Sequence, residues 1–238
     1  MKRNLIYITS IVTVLFLTIA LMNTANENKE GPEKTKTMNN KSKIILPEPN
    51  RKDGPSLEEV IEKRRSERDF KDEPPAIEDL SLILWAGQGI TDKERGLRSS
   101  PSAGALYPLV FYIDIKNING LNPGIYRYEP EGHFLILKQD KSRREEIYRA
   151  ALEQNWIKEA PALIIMNAHY HKVTIKYGER GIRYTHMEAG HSSQNIYLQT
   201  TSLGLGTVAV GAFNDDAIKN ILGVDSDPLY LMPIGKVK

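Results

Sequence analysis

The sequence predicts an α+β domain preceded by an apolar N-terminal segment and a polar linker. Three observations lead there. From about Pro55 onward, helix-period and strand-period patterns are mixed without strict alternation, which disfavours a doubly wound parallel sheet. One helical pattern, from about Gly178 to Ser202, is much longer than the others. The chain has 238 residues, a net charge of +2 and no cysteine, the size of one ordinary domain plus extras.

The near balance of charge gives no footprint for a nucleic-acid partner. Without cysteine there is no disulfide, no thiolate zinc site and no cysteine nucleophile. Lys2 and Arg3 precede an uncharged apolar run from Leu5 to Met22, whose length lies between a long signal-peptide core and a short spanning helix. Residues 1–25 are therefore expected to be a signal peptide or transmembrane anchor, giving a membrane-anchored or exported protein whose orientation the flanking lysines leave open. Residues 26–54 are rich in Asn, Lys, Glu and Pro and are expected to form a disordered linker. The folded domain is expected over 55–238.

Within it, Ser56 and Glu59 form a capping box ahead of a helix running to about Ser66. Pro74 and Pro75 break the chain, and a second helix follows through Ile77, Leu80, Ile83 and Leu84 to Gly87 or Gly89. "RSSPSAGALYP" is a small-residue loop, and "LVFYIDI" alternates as a strand. "GIYRYEPEGHFLILK" predicts a hairpin around Glu131 and Gly132. A short helix, "SRREEIYRAAL", precedes the buried strand "ALIIMNA" and then the long helix. Strand "GTVAVGAF", helix "DDAIKNILG" and strand "LYLMPIG" close the domain.

Several motifs invite a chemical reading. In "HMEAGH", His186 and His191 are five residues apart and fall on different helix faces, so a zinc-protease arrangement is excluded and no metal site is expected. His169 and His171 alternate as on one face of a strand end, with no third ligand. "GLGTVAVG" follows a helix and opens a strand, the reverse of a dinucleotide motif. Ser102, Ala103 and Gly104 leave the main chain uncovered, as a plain loop or as a surface for close ligand approach. Ala189, Gly190, Ser192 and Ser193 allow close helix packing, either inside one subunit or between two. Lys176 and Tyr177 are either an exposed pair or a proton-transfer pair.

The most informative segment is "RRSERDF". The apolar spacing of Leu57, Val60 and Ile61 continues onto Arg64 and then Arg68. A guanidinium facing inward demands an acid or a phosphate.

Taken in order, "RRSERDF", "PSAGALYP", "KYGERGIRYTHMEAGHSSQNIYLQTTSLGLG", "VGAF" and "MPIGK" resemble the FMN-dependent nitroreductase superfamily. The resemblance spans Pro55 to Lys238 and is closest to the SagB/ThcOx-type branch, dehydrogenases that oxidise peptide thiazolines and oxazolines to azoles. It implies a nitroreductase-like fold, with a central, mostly antiparallel sheet flanked by helices and a long central dimer helix. It also implies a homodimer with FMN at the subunit interface. By that resemblance Arg64, Arg65, Ser66 and Arg68 hold the FMN phosphate and ribityl chain. Ser102, Ala103 and Gly104 lie along the isoalloxazine ring, Val210 and Gly211 approach it from the later strand, and Lys236 adds charge at the phosphate. Lys176 and Tyr177 match the proton-transfer pair of the azole-forming branch. Ala105 and Tyr107 stand where many nitroreductases carry Asn and Gln, a departure that favours this branch. The implied activity is dehydrogenation of a small-molecule or peptide substrate. The alternatives are an NAD(P)H-dependent nitro or quinone reductase and a flavin-holding module without turnover.

Overall fold

The computed structural model describes residues 43–49 and 54–238. Its centre is a seven-stranded sheet built from β1 (Lys43–Ile45), β4 (Leu109–Ile115), β5 (Gly124–Glu129), β6 (Phe134–Gln139), β7 (Ala162–Ala168), β8 (Leu205–Thr207) and β9 (Asp227–Lys236). The spatial order is β1-β6-β5-β4-β7-β9-β8, and every named pairing is antiparallel. A separate ribbon pairs β2 (Ile90–Asp92) with β3 (Leu97–Arg98).

The strands in the middle of the sheet are apolar on both sides because helices cover both faces. On one side, Ile113, Ile164 and Met166 pack with Leu80, Ile83 and Leu84 of α2 (Ile77–Gln88) and Ile196 of α6 (Arg180–Ser202). On the other side, Tyr112, Leu163 and Ile165 pack with Ile147 of α3 (Arg144–Ala150), Ile157 of α4 (Asn155–Glu159) and Ile218 of α7 (Asp215–Leu222). The period of two therefore divides one strand between two cores. Among the described residues the remaining α-helices are α1 (Leu57–Lys63) and α5 (His171–Tyr177).

Helix α6 packs on α2 through small side chains. Ser192 Oγ donates to the Gly87 carbonyl of α2 at 2.9 Å, and a Cβ at Gly87 would lie 2.7 Å from the Phe111 ring. Ala189, Ser192 and Ser193 are buried within this subunit, whereas Gly190 faces open space. The small residues thus serve two surfaces of one helix.

A fully buried ion pair ties α3 to the sheet. Arg144 Nε donates to Asp114 Oδ2 at 2.8 Å, Nη2 to the Asp114 carbonyl at 2.8 Å and Nη1 to the carbonyls of Ile157 and Ala160. Ser142 Oγ and the Arg143 amide also donate to the Asp114 carboxylate.

Several expectations are corrected. Lys43–Ile45, inside the stretch read as linker, form a strand on β6, and Leu46 joins the core. Composition averaged over a long polar stretch conceals the three consecutive apolar residues Ile44, Ile45 and Leu46. Ser81 Oγ donates to the Pro47 carbonyl at 2.5 Å and pairs with His133 Nε2 at 2.7 Å, which fastens this segment. The strand expected over "GTVAVGAF" keeps only Leu205–Thr207 and a single bridge from Val210 to Leu231, because the Ala209 amide donates to the Tyr197 hydroxyl at 2.7 Å instead of to a ladder. His169 and His171 are not on a strand, since β7 ends at Ala168 and His171 opens α5.

The transmembrane, membrane-anchored or exported placement is also corrected. No helix among the described residues is long and apolar enough to cross a membrane. The run from Leu5 to Met22, on which that reading rests, lies outside the described residues, as do most of the residues read as linker.

Candidate functional site

The residues singled out in the sequence gather in two clusters at different levels of α6. The first surrounds the end of α1. The capping box forms as expected, with Ser56 Oγ accepting from the Glu59 amide and Glu59 accepting from the Ser56 amide. The helix nevertheless stops at Lys63, and Arg64 turns into extended backbone (φ −53°, ψ 123°). The arginines therefore do not continue a core-facing stripe. Leu57 and Ile61 are themselves 60% and 54% exposed, and only Val60 of the three is buried.

The segment from Arg64 to Phe70 instead lies along the ends of β8 and β9. The Glu67 amide donates to the Thr207 carbonyl at 2.9 Å, and Phe70 bridges Val237. Arg64 stacks its guanidinium over the Tyr197 ring at 5.1 Å, and Ser66 Oγ is 3.0 Å from the Tyr197 hydroxyl. Arg68 is exposed and lies 5.5 Å from the Trp156 ring. Arg65 Nη1 donates to the carbonyls of Glu62 and Arg64, closing the end of α1. Among the described residues none of these three arginines has a carboxylate partner. Two buried polar atoms beside them, Trp156 Nε1 and Thr207 Oγ1, also lack partners. Lys236 pairs with Glu73 at 2.7 Å and is exposed. Val210 is buried, and the exposed Gly211 has only Tyr230 near the position of a Cβ.

The second cluster forms where the small-residue loop meets α5. Ser102 Oγ accepts from the Tyr107 amide at 2.9 Å, and Ala103–Ala105 make a single 3-10 turn. Gly104, Ala105 and Tyr107 all have positive φ, at 63°, 53° and 45°. For alanine and tyrosine that conformation is uncommon, and strain of this kind gathers at ligand sites. A Cβ on Gly104 would lie 2.8 Å from Tyr177 Oη and 3.1 Å from Lys176 Nζ. Glycine is what lets the Tyr177 hydroxyl and the Lys176 side-chain nitrogen reach the loop. Tyr177 is also held edge-on by Tyr184, with ring centroids 5.3 Å apart.

The clusters adjoin Tyr197 and Glu188 respectively, nine positions apart on α6. At 1.5 Å per residue that is roughly 13 Å along the helix. One chain does not bring the arginines and the loop into contact, although both face the same long element.

Sequence reasoning passed over three residues here. Tyr197 supplies the hydroxyl between Ser66 and the Ala209 amide, and Trp156 supplies the ring under Arg68. Glu188 is 2% exposed, and its Oε1 has no hydrogen-bond partner. A signal for Glu188 was available. Gly181, Thr185, Glu188 and Ser192 repeat at helical spacing on the buried face of α6, so a charge on a core-facing stripe sat there rather than at Arg64.

Burial pushes the Glu188 carboxyl up to about 7, against which Ser102, Arg98 and Gln88 act more weakly. The folded state therefore binds this proton more tightly than the unfolded chain does. The associated stability is fully present below the ordinary value of 4.5 and is lost as pH rises through about 7. A shift of this size corresponds to about 3 kcal/mol. Glu188→Gln, neutral at every pH, is expected to gain stability over the parent at pH 8 and to match it near pH 4. Urea midpoints at the two pH values test this, and a difference that does not change with pH would show an unshifted carboxyl.

The nitroreductase family model matches residues 61–236. A protein of Methanocaldococcus jannaschii that carries a nitroreductase name is 48% identical over 180 residues, covering 76% of this chain and 90% of that protein. A Bacillus subtilis protein named FMN reductase [NAD(P)H] is 27% identical, with 75% of this chain matching 64% of its length. A Ralstonia eutropha crystal structure with a nitroreductase name has a TM-score of 0.74 and 27% identity, covering 83% of this chain and 90% of the other. With a family match over most of its length and a relative this similar, the chain belongs to the nitroreductase family and is an oxidoreductase.

Proposed function

We propose that the chain binds FMN and dehydrogenates a small or peptide substrate, in the manner of the azoline-to-azole oxidations of the SagB type. The convergence of Lys176 Nζ and Tyr177 Oη on Gly104 carries this reading. It gives the loop expected to lie along the isoalloxazine ring two groups able to move a proton.

The residues present fit a phosphate-bearing flavin. Three arginines without carboxylate partners and the orphaned Trp156 Nε1 and Thr207 Oγ1 gather around one segment. A phosphate satisfies guanidinium forks and neutral donors together. Arg64, Arg65, Ser66 and Arg68 would hold that end. Lys236 contributes only if it leaves Glu73. Val210 and Gly211, with no side chain at Gly211, would border the ring system. When bound, FMN supplies the hydride acceptor. The chain's own task is to orient the substrate on the loop and to take the accompanying proton at Lys176 in its neutral amine form, with the Tyr177 hydroxyl beside it as a relay.

The separation of the two clusters on α6 favours a homodimer in which the arginines of one subunit and the loop of the other share a flavin. The exposed Leu57, Ile61, Ile182 and Met187 of α1 and α6 are apolar surface for such a contact. Replacing Arg64 and Arg68 together with glutamine is expected to release the flavin while circular dichroism stays unchanged. A full complement of flavin in the double variant would remove the phosphate assignment.

The FMN reductase relative favours a second reading, reduction of nitro or quinone compounds by NAD(P)H. Anaerobic stopped-flow absorbance separates the two, with a thiazoline peptide and NADPH offered in turn. Flavin reduction by the peptide supports dehydrogenation. Rapid reduction by NADPH alone overturns it, and retained flavin that no donor reduces indicates a module without turnover.

A further inference from the structure

A cavity of about 150 Å³ lies beside the second cluster, lined by Gln88, Arg98, Arg127, Tyr128, His169 and Lys172 among others. Arg98 is held ready on its wall. Its Nη1 donates to Gln88 Oε1 at 2.9 Å, its guanidinium stacks over Tyr107 at 4.7 Å, and its amide donates to the Tyr107 hydroxyl at 3.1 Å. Because Gln88 Oε1 is taken, the amide nitrogen is the end left over. Gln88 is 1% exposed, and among the described residues its Nε2 makes no hydrogen bond of normal geometry. Glu188 lies close by, but an amide nitrogen carries two protons, so one contact there leaves the other free.

The charges on the wall do not balance. Arg127 pairs with Glu129. Arg98 and Lys172 have no salt bridge among the described residues; Glu188 interacts with both, and Glu129 also acts on Arg98. The wall therefore carries an excess of positive charge, one when Glu188 is ionised and more when it is protonated. A planar fork and a neutral amide donor beside a modest positive surplus suit an anion with two coplanar oxygens, a carboxylate. A phosphate dianion would bring a second charge against Glu188 and Glu129.

We propose that this cavity is a substrate subsite that binds a carboxylate, with Arg98 and Gln88 donating to its oxygens and Lys172 closing its mouth. The inference rests on the dehydrogenase reading and deepens it. Lys172 and Lys176 stand four residues apart on α5, so their side chains are neighbours about 6 Å apart at Cβ. A carboxylate held by Lys172 thus places the bond to be oxidised a few atoms away, at Lys176 and Tyr177. The substrate class is a small acid, or a peptide carrying a free carboxylate near the oxidised ring.

The test reads binding rather than turnover. The full-length protein as purified is titrated with N-acetylglycine, N-acetylglycinamide and acetate by saturation-transfer NMR. The acid is expected to bind at least tenfold more tightly than the amide. Arg98→Gln is expected to erase that preference, Lys172→Met to reduce it, and Arg98→Lys to fall between. Acetate binding as tightly as N-acetylglycine supports a free small acid as the source of the carboxylate, and weaker acetate supports a peptide-like one.

Equal affinity for acid and amide in the parent overturns the subsite without needing a variant. So does undiminished acid preference in both Arg98→Gln and Lys172→Met. If the acid preference holds but no donor reduces the flavin, the subsite stands and the dehydrogenase reading falls. If azoline peptides are oxidised with no acid preference, the reverse follows.

Discussion

Substrate oxidation is expected to fall by about a hundredfold or more when Lys176 is replaced by alanine and Tyr177 by phenylalanine, while bound flavin is retained. The geometry separates these effects. Lys176 Nζ and Tyr177 Oη meet at the Gly104 loop, whereas Arg64 stacks on Tyr197, roughly 13 Å along α6 from the Glu188 that adjoins that loop. Loss of the Lys176 amine and the Tyr177 hydroxyl should therefore leave flavin binding alone. Tyr177→Phe keeps the ring against Tyr184 and removes only the hydroxyl, so its effect reports chemistry and not packing. Gly104→Ala supplies a steric counterpart, because a Cβ there presses on both Tyr177 Oη and Lys176 Nζ. Flavin absorbance per protein and single-turnover oxidation rates give the two readouts. A double variant that oxidises substrate at the parent rate would end the assignment.

Replacing Arg144 with alanine is expected to cost about 3–5 kcal/mol of stability, because it leaves the Asp114 carboxylate buried without its cation. Arg144 is 5% exposed and Asp114 is 0% exposed, so water reaches neither readily. The same change orphans the carbonyls of Ile157 and Ala160, which Arg144 Nη1 serves at the end of α4. The Ser142 and Arg143 donors remain on Asp114 and soften the loss. Replacing both partners, Arg144→Met with Asp114→Leu, should recover part of the deficit, since it removes the uncompensated charge. Equilibrium urea unfolding of the parent, each single variant and the pair measures the coupling. A loss below 1 kcal/mol in Arg144→Ala would show that water or a rearranged donor replaces the guanidinium.

Much of the fold was written in local pattern. The alternating "LVFYIDI", the continuous apolar "ALIIMNA" and the turn at Glu131-Gly132 each became the element they predict, as did the long helix ending before Gly204. These features depend on neighbours within a few residues, and backbone periodicity reports them directly. The family was legible for the same reason, because its motifs are short and occur in order.

What depended on distant partners was not legible. The helix before Arg64 ends early because the following segment donates to Thr207, across the sheet and far along the chain. Ile44 and Leu46 join the domain because β6 offers an edge, a fact that composition does not contain. Glu188 and Gln88 are hidden by residues brought in from α2, the Ser102 loop and α5, and only that enclosure gives them unsatisfied polar atoms. By itself the sequence determined the α+β class, the central strands, the long helix and the family, since local periodicity and ordered motifs are properties of the chain. Tertiary structure alone decided which charges are paired, which polar atoms are orphaned and that Lys176, Tyr177 and Gly104 meet, because burial and electrostatics are properties of what surrounds a residue.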